Sequence, residues 1–561
     1  MIFMGWLYAF LMLGRFQVDG VNPVSYASPV IFAVIFITLE ALYLKNTGAD
    51  EKKLKSCLIK TSAGALAVTG YMELMLYVFS VSPSMIILSG RNSCVPLFFG
   101  MAGLLGLFIY LTAKKKWTAE RFTIFLFGAA FVFHIFYYLF AALLYQHDVG
   151  QLLGDGEGHF GYIEYLHDNL WLPQFDPRER WQFYHPPLNH ILQAVFLKIQ
   201  TLLGIGKRMA AYNATYLPLL YFMFTLLIFY KISLELGLKK KYANIVVAVC
   251  ACSPAFFNIG NYINNDMLSV MFMMLSIYLA LKWYKDRRMS NILKIAVSFG
   301  AGMLSKLSTW MAAVPVAIIF IAALIEELRK KDKKAFGQKL GQMFAFLGVA
   351  APLSLFWSVR NYIRWGVPLT YIPVGMDRSK AIKEGVLQRL FDFSPSQLKP
   401  PWEAMIKIGD PYNEYNPLIG LIKTSCTTVS APPYINYPVL AITTLLCIVS
   451  FICMIAVIIR SKSMKGLHKA ILGAFYAVIM VSYYIFCFKY PDTCTEEIRY
   501  ASQVIFIGAF FTAWVMQRLE SKEKLRKLQK PLYGLIASYC ILAVIMEVEF
   551  GLTFAFYYYF N

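Results

Sequence analysis

Residues 187–204 read PLNHILQAVFLKIQTLLG, a mostly apolar run interrupted by His190, Gln193 and Lys198. A bilayer span takes ~20 mostly apolar residues, so the run is long enough to cross. Its placement sets the parity of every later segment. Counted as a span, it puts Lys239, Lys240 and Lys241 on the opposite side from the other basic links. Basic links gather on the cytoplasmic side of membrane proteins. The run is therefore read as an amphipathic helix lying on the outer surface, opening after Pro186 and Pro187.

The composition around it demands lipid. Of 561 residues, 58% are apolar and only 15% charged, far from the balance of a soluble domain. A net charge of +21 raises nucleic acid as a partner. However, more than half of the Lys and Arg lie in short links at 45–60, 114–121, 239–241, 282–294, 329–339, 460–469 and 518–530. That is a topological signal and leaves no groove for a polyanion. Threading the chain with those links inside gives an all-α polytopic membrane protein of about fifteen transmembrane helices. Among these spans are 243–260, 266–284, 292–305, 309–326 and 340–359, with 292–305 notably short. The first apolar run lacks a basic flank and reads as a span, not a cleaved signal peptide. Two large regions remain outside, at 146–211 and 361–437, with a shorter one at 489–500. The ten cysteines show no CxxC pair, so neither a metal framework nor a disulfide framework is indicated, although a Cys426–Cys494 bridge is conceivable.

The first outer loop carries five of the seven histidines: His147, His159, His167, His185 and His190. Asp148, Asp155, Glu157, Glu164, Asp168, Asp176 and Glu179 sit among them. So many titratable groups at one membrane face mark a site. Asp148 lies three residues beyond the apolar run ending at Tyr145, at the membrane boundary where a carboxylate can take a proton from an attacking hydroxyl or amine. The plainer reading is an interfacial aspartate at a helix end. Imidazole and carboxylate together could hold zinc or manganese, but no HxH or HxxxH pair occurs in the loop. A divalent metal is thus possible and not indicated, and no metal ligand is assigned. Elsewhere, Asp266 reads either as a site acid or as part of a helix start after Asn265, and Lys306 lies where an ammonium needs a partner such as phosphate. Arg360 and Arg499 complete a ring of cations at the outer face, where each can bind phosphate or anchor its helix end.

With these residues in place the chain resembles the GT-C glycosyltransferases of the aminoarabinose transferase and protein O-mannosyltransferase (glycosyltransferase family 39-like) type. The landmarks, in order, are HDVG at 147–150, GHFGYIEYL at 158–166 with LPQFDP at 172–177, FYHPPLNHILQA at 183–194, NNDMLS at 264–269, GMLSKLS at 302–308, WSVRNYIRWGVPL at 357–369 and CTEEIRYASQ at 494–503. The resemblance implies a GT-C-type helical bundle whose outer loop contains juxtamembrane helices. It also implies an inverting glycosyltransferase that moves a hexosyl or pentosyl group from a polyprenyl-phosphate carrier to a lipid, glycan or protein acceptor. By similarity Asp148 is the catalytic base, although the family often has an Asp-Glu pair where this chain has His147-Asp148-Val149. That departure leaves Glu157 or Asp155 as a second carboxylate. Lys306, Arg360 and Arg499 resemble the carrier-phosphate pocket, Asp266 resembles a second acid, and His159 and His185 lie in the most recognisable stretches. Residues 1–115 fall outside the resemblance and read as extra transmembrane helices, ahead of a transferase domain at 116–561.

A transporter or flippase of lipid-linked sugars would share the phosphate-binding cations without needing a base. Such a protein should show internal repeats and broken helices at mid-membrane depth; no repeat is visible in the sequence. A scaffold that only binds a partner through its outer loops is the third reading, opposed by the titratable density of residues 146–190. The short soluble parts and basic links suggest a bacterial plasma membrane with the site facing outward, surrounded by membrane lipids.

Overall fold

The computed structural model describes residues 94–140, 156–202, 216–373, 382–394, 415–426 and 433–560, together with isolated positions at 34–62 and 207–214 and residue 397. Asp148 and Asp155 lie outside the described residues, as does nearly all of the chain before residue 94. The described chain is helical throughout: α1 (Cys94–Ala113), α2 (Ala119–Phe140), α3 (Gly158–Asn169), α4 (Leu188–Leu202), α5 (Tyr216–Glu235), α6 (Lys240–Ala251), α7 (Pro254–Ile259), α8 (Asp266–Asp286) and α9 (Met289–Ser305) come first. After a 3₁₀ turn at Leu307–Ala312 follow α10 (Ala313–Arg329), α11 (Lys333–Trp365), α12 (Val386–Phe391), α13 (Pro417–Cys426), α14 (Pro433–Arg460), α15 (Gly466–Lys489), α16 (Gln503–Glu520) and α17 (Gln529–Phe560). Seven stretches among the described residues are long and apolar enough to cross a membrane: Tyr216–Glu235, Asp266–Asp286, Leu307–Arg329, Lys333–Trp365, Ile435–Arg460, Gly466–Lys489 and Glu523–Glu549. The chain is an integral membrane protein. Cys426 and Cys494 are both free thiols, so the conceivable bridge between them is not formed.

Local sequence explains where the elements stop. Asp332 caps α11 by accepting a hydrogen bond from the Ala335 amide at 2.9 Å. The same helix ends at Gly366, whose φ of +65° suits a residue without a Cβ. The expected span 243–260 is broken into α6 and α7, because Pro254 at the first turn of α7 cannot continue the helix before it. The short α9 packs its small residues directly on neighbouring elements. A Cβ on Gly300 would lie 2.6 Å from the Leu353 Cβ, and one on Gly302 would lie 2.5 Å from the Thr309 Cγ2. Glycine at both points lets α9 approach α11 and the 3₁₀ turn.

The basic links converge on one end of the bundle and are tied together there. Lys241 pairs with Glu520 at 2.9 Å, Lys282 with Glu235 at 3.5 Å and Arg287 with Glu326 at 2.8 Å. The Lys239 amide donates to Gln517, and Arg518 donates to the Ser463 carbonyl. Each pair keeps at least one partner exposed to solvent and so contributes little on its own. Their value is positional: links from five connections share one end, as the charge rule requires of loops on one side.

Helix α4 settles how the 187–204 stretch is used, and it turns the expected amphipathicity around. At 15 residues it is too short to span. Asn189, His190, Gln193 and Gln200 are buried, whereas Leu192, Val195, Ile199 and Leu202 are exposed. The polar residues face the protein together with Ala194 and Leu197, and the remaining large apolar ones face away. That pattern suits a helix whose outer surroundings are lipid.

Candidate active site

At the end opposite the basic links, two of the sequence landmarks lock together. Asn265 donates its side-chain amide to the Ser305 carbonyl at 3.0 Å, Lys306 hydrogen-bonds Asp266 Oδ1, and the Ser269 and Thr309 hydroxyls meet at 2.9 Å. Each pair is separated by 40 residues, so NNDMLS at the start of α8 and the segment just after α9 run side by side in register. The Asn264 side chain accepts from the Asp266 amide at 3.0 Å, the turn geometry that short polar side chains provide. Asp266 is the first residue of α8, as the helix-start reading has it, and its carboxylate is engaged by Lys306.

The third landmark, CTEEIRYASQ, closes over this pair. The Tyr500 ring lies 5.1 Å from Lys306 Nζ and 4.9 Å from the Arg499 guanidinium carbon, so one aromatic ring serves both cations. Arg499 is ion-paired with Glu497 at 2.8 Å, both side chains being about nine-tenths buried. Burial works against the Arg499 charge, but Glu497, Tyr500, Tyr262 and Asp266 outweigh it and hold its pKa well above the usual value. Burial also pushes the Tyr500 hydroxyl well above its usual range, against the pull of Arg499. Within this cluster Asp266 Oδ2, Asn265 Oδ1 and the Ser502 hydroxyl are buried without a hydrogen-bond partner among the described residues. Such leftover capacity is costly unless a ligand or water uses it.

The histidines gather separately, in the α3–α4 hairpin. His159 Nδ1 and His190 Nε2 are 2.9 Å apart, and the His159 ring stacks on His185 and on His190 with centroids 5.2 Å apart in each case. Tyr162 continues the pile against His190 at 4.4 Å and Phe183 against Tyr162 at 4.6 Å. Glu157 forms the start of α3 beside this stack. His159 Nδ1 and His190 Nε2 are spent on each other. Among the described residues no group of three or more His, Cys, Asp or Glu could hold a metal. The stack meets the carboxylate–cation cluster through Asn189, which donates to the Asn264 carbonyl at 3.2 Å. His190 is held well below the usual histidine pKa, by burial first and by His159 second, against the Pro186 carbonyl.

Of the expected site residues, Asp266, Lys306 and Arg499 come together in one cluster, and His159 and His185 in the adjoining stack. Arg360 does not join the cluster through the partners seen here. It donates to the Pro173 carbonyl and to Asn361, and lies 4.9 Å from both the Trp357 and Trp365 rings. Asn189, Asn264, Asn265, Glu497 and Tyr500 were not singled out as site residues in the sequence. For Asn264, Asn265 and Glu497 a signal was available in the density of amides in GNYINND and of acids in CTEEIRY, within a chain otherwise poor in both; Asn189 and Tyr500 carried none.

Residues 184–357 match the family model described as dolichyl-phosphate-mannose-protein mannosyltransferase. The match takes in α4, NNDMLS, GMLSKLS and Trp357, so the resemblance drawn from those landmarks holds over this stretch. No curated protein matches the chain. Among solved structures, the archaeal oligosaccharyltransferase AglB from Archaeoglobus fulgidus, in complex with an inhibitory peptide and a dolichol-phosphate, aligns at 13% identity with a TM-score of 0.42, covering 75% of this chain and 56% of the enzyme. The same archaeal enzyme tethered to an acceptor peptide aligns at 13% identity with a TM-score of 0.43, covering 76% and 55%. This chain thus spans little more than half the length of those enzymes, and so loose a likeness carries no functional weight.

Proposed function

We propose that this protein is an inverting glycosyltransferase that takes a sugar from a polyprenyl-phosphate carrier and passes it to an acceptor at the outer membrane face. The observation that carries the reading is the buried cluster of Asp266, Lys306, Tyr500, Arg499 and Glu497 where three landmarks meet. The family match over residues 184–357 supports it, since two of those landmarks lie inside the matched stretch. In this reaction the acceptor oxygen or nitrogen attacks the anomeric carbon while the bond from that carbon to the carrier phosphate breaks. The phosphate leaves with the electron pair, and the acceptor proton goes to a carboxylate.

Lys306 and Arg499 are the cations suited to the growing negative charge on the leaving phosphate. Both are already held in place by Asp266 and Glu497, so little rearrangement is needed as the bond breaks. Asp148 is the proposed base, with Glu157 near enough in sequence to assist. The His159–His185–His190 stack supports the floor on which Asn189 and Asn264 sit. The test is transfer from a panel of polyprenyl-phosphate sugars by purified protein in nanodiscs, comparing wild type with Asp148→Asn. Loss of a base costs about 10²–10⁴-fold in rate. Transfer at the wild-type rate by the variant would sink the assignment.

A further inference from the structure

Helix α4 separates two chemically different surfaces. Asn189 and Gln193 face the amide and carboxylate cluster. Some 180° around the same helix, Ile191, Val195, Lys198 and Ile199 line a groove of about 610 Å³ completed by the end of α3 and the last turns of α11. The floor is apolar, with Leu166, Ile191, Ala194 and Phe356 contributing. At its edge Leu170 and Trp171 are 68% and 69% exposed, an apolar presentation that water penalises and lipid does not.

Three cations, Lys198, Arg360 and Arg364, stand on this groove, and no carboxylate is among its lining residues. Arg360 and Arg364 are one helical turn apart on α11, a like-charge spacing that destabilises a helix unless an anion is shared between them. Both are anchored to the same extended segment: Arg360 to the Pro173 carbonyl and Arg364 to Gln174 Oε1 at 2.5 Å. Trp357 and Trp365 flank Arg360, so its fork is held by aromatic faces on α11. An apolar trough with a fixed cationic head and no acid complements an anionic amphiphile.

We propose that this groove is a binding site for an anionic glycerophospholipid of the surrounding leaflet, separate from the cluster of Asp266, Lys306 and Arg499. The headgroup phosphate is received by Lys198, Arg360 and Arg364, and an acyl chain lies along Leu170, Trp171, Val195 and Ile199. Because α4 is the shared wall, a lipid seated there holds the helix whose other face supports Asn189 and the histidine stack.

The experiment is native mass spectrometry of the full-length protein released from detergent, titrated with phosphatidylglycerol or phosphatidylcholine. Phosphatidylglycerol should bind the wild type more tightly. The double substitution Lys198→Gln with Arg364→Gln should weaken phosphatidylglycerol roughly tenfold or more, the scale of losing charge-assisted hydrogen bonds, and leave phosphatidylcholine unchanged. Lys198→Arg with Arg364→Lys should retain most of the preference. Trp171→Asp, at a side chain too exposed to disturb the core, should weaken both lipids. Equal binding of the two lipids by wild type, or an unchanged preference in the glutamine double variant, overturns the proposal. Displacement of phosphatidylglycerol by added polyprenyl phosphate does so as well, because the groove would then belong to the donor.

Discussion

Asp266 and Lys306 have side chains only 3% and 14% exposed, so neither can be neutralised without leaving the other's charge in a dry site. Breaking a buried pair from one side costs about 3–5 kcal/mol, whereas replacing both partners by well-packed apolar residues is often nearly neutral. Asp266→Asn should therefore lower the thermal unfolding temperature in detergent sharply. Asp266→Leu combined with Lys306→Met should recover most of that loss while leaving transfer absent. A single variant as stable as wild type would mean the pair is not formed in solution. The histidine stack makes a second prediction at this scale. His190 has its pKa depressed below the ordinary value near 6.5, so the unfolded chain binds a proton there that the folded protein refuses. Stability is then fully present above about pH 6.5 and falls as the pH drops below it. His190→Phe, which keeps a ring in the stack, should flatten the slope of unfolding temperature between pH 7.5 and 5.5. The site was partly legible in the sequence for a physical reason. Charged groups in an apolar chain stand out by cost alone, which singled out Asp266, Lys306 and Arg499. The neutral partners Asn189, Asn264 and Tyr500 carry no such penalty and emerged only from the contacts they make.

Among the helices, the close approach of α9 to its neighbours is the feature most sensitive to substitution. Gly302→Ala places a methyl 2.5 Å from the β-branched Thr309 side chain, which also bonds Ser269 and has little freedom to turn away. The cost is that of overpacking, about 1–3 kcal/mol, and the displacement should pass into the adjacent Lys306 and lower activity as well. Gly341→Ala on α11 is the contrast, since nothing lies within 4 Å of its Cβ position. Removing a helix-interior glycine there should stabilise by roughly 0.5–1 kcal/mol, so thermal unfolding of the two variants should shift in opposite directions. Long apolar periodicity made α8 and α10 readable: expected at 266–284 and 309–326, they run over Asp266–Asp286 and Ala313–Arg329. The break between α6 and α7 escaped notice because the run from 243 to 260 stays apolar across Pro254. The inward-facing polar side of α4 escaped it because a period analysis gives the faces of a helix and not which solvent each face meets.

Across the whole molecule the two ends differ in kind. One end collects the exposed ion pairs of the basic links, such as Lys241–Glu520 and Lys240–Glu120. The other holds the buried pairs Lys306–Asp266, Arg499–Glu497 and Arg389–Glu496. Arg389 ties the segment after α11 into this end, since it also donates to the Tyr415 and Cys487 carbonyls at 3.1 Å. The proposed reaction needs the second end outside, where no nucleotide-activated sugar is at hand and a carrier already in the membrane supplies the donor. The positive-inside rule assigns the basic end to the cytoplasm on separate grounds. The two arguments are independent, one resting on lysines and the other on chemistry, and a single labelling experiment tests both. With exposed Cys494 replaced by serine, cysteines placed at Gln174 and at Lys331 should behave oppositely toward a membrane-impermeant maleimide added to intact cells. Position 174 should label without permeabilisation, and position 331 only after it. The reverse pattern would turn the protein over, place the cluster of Asp266, Lys306 and Arg499 in contact with the cytoplasm, and remove the reason for a lipid-linked donor.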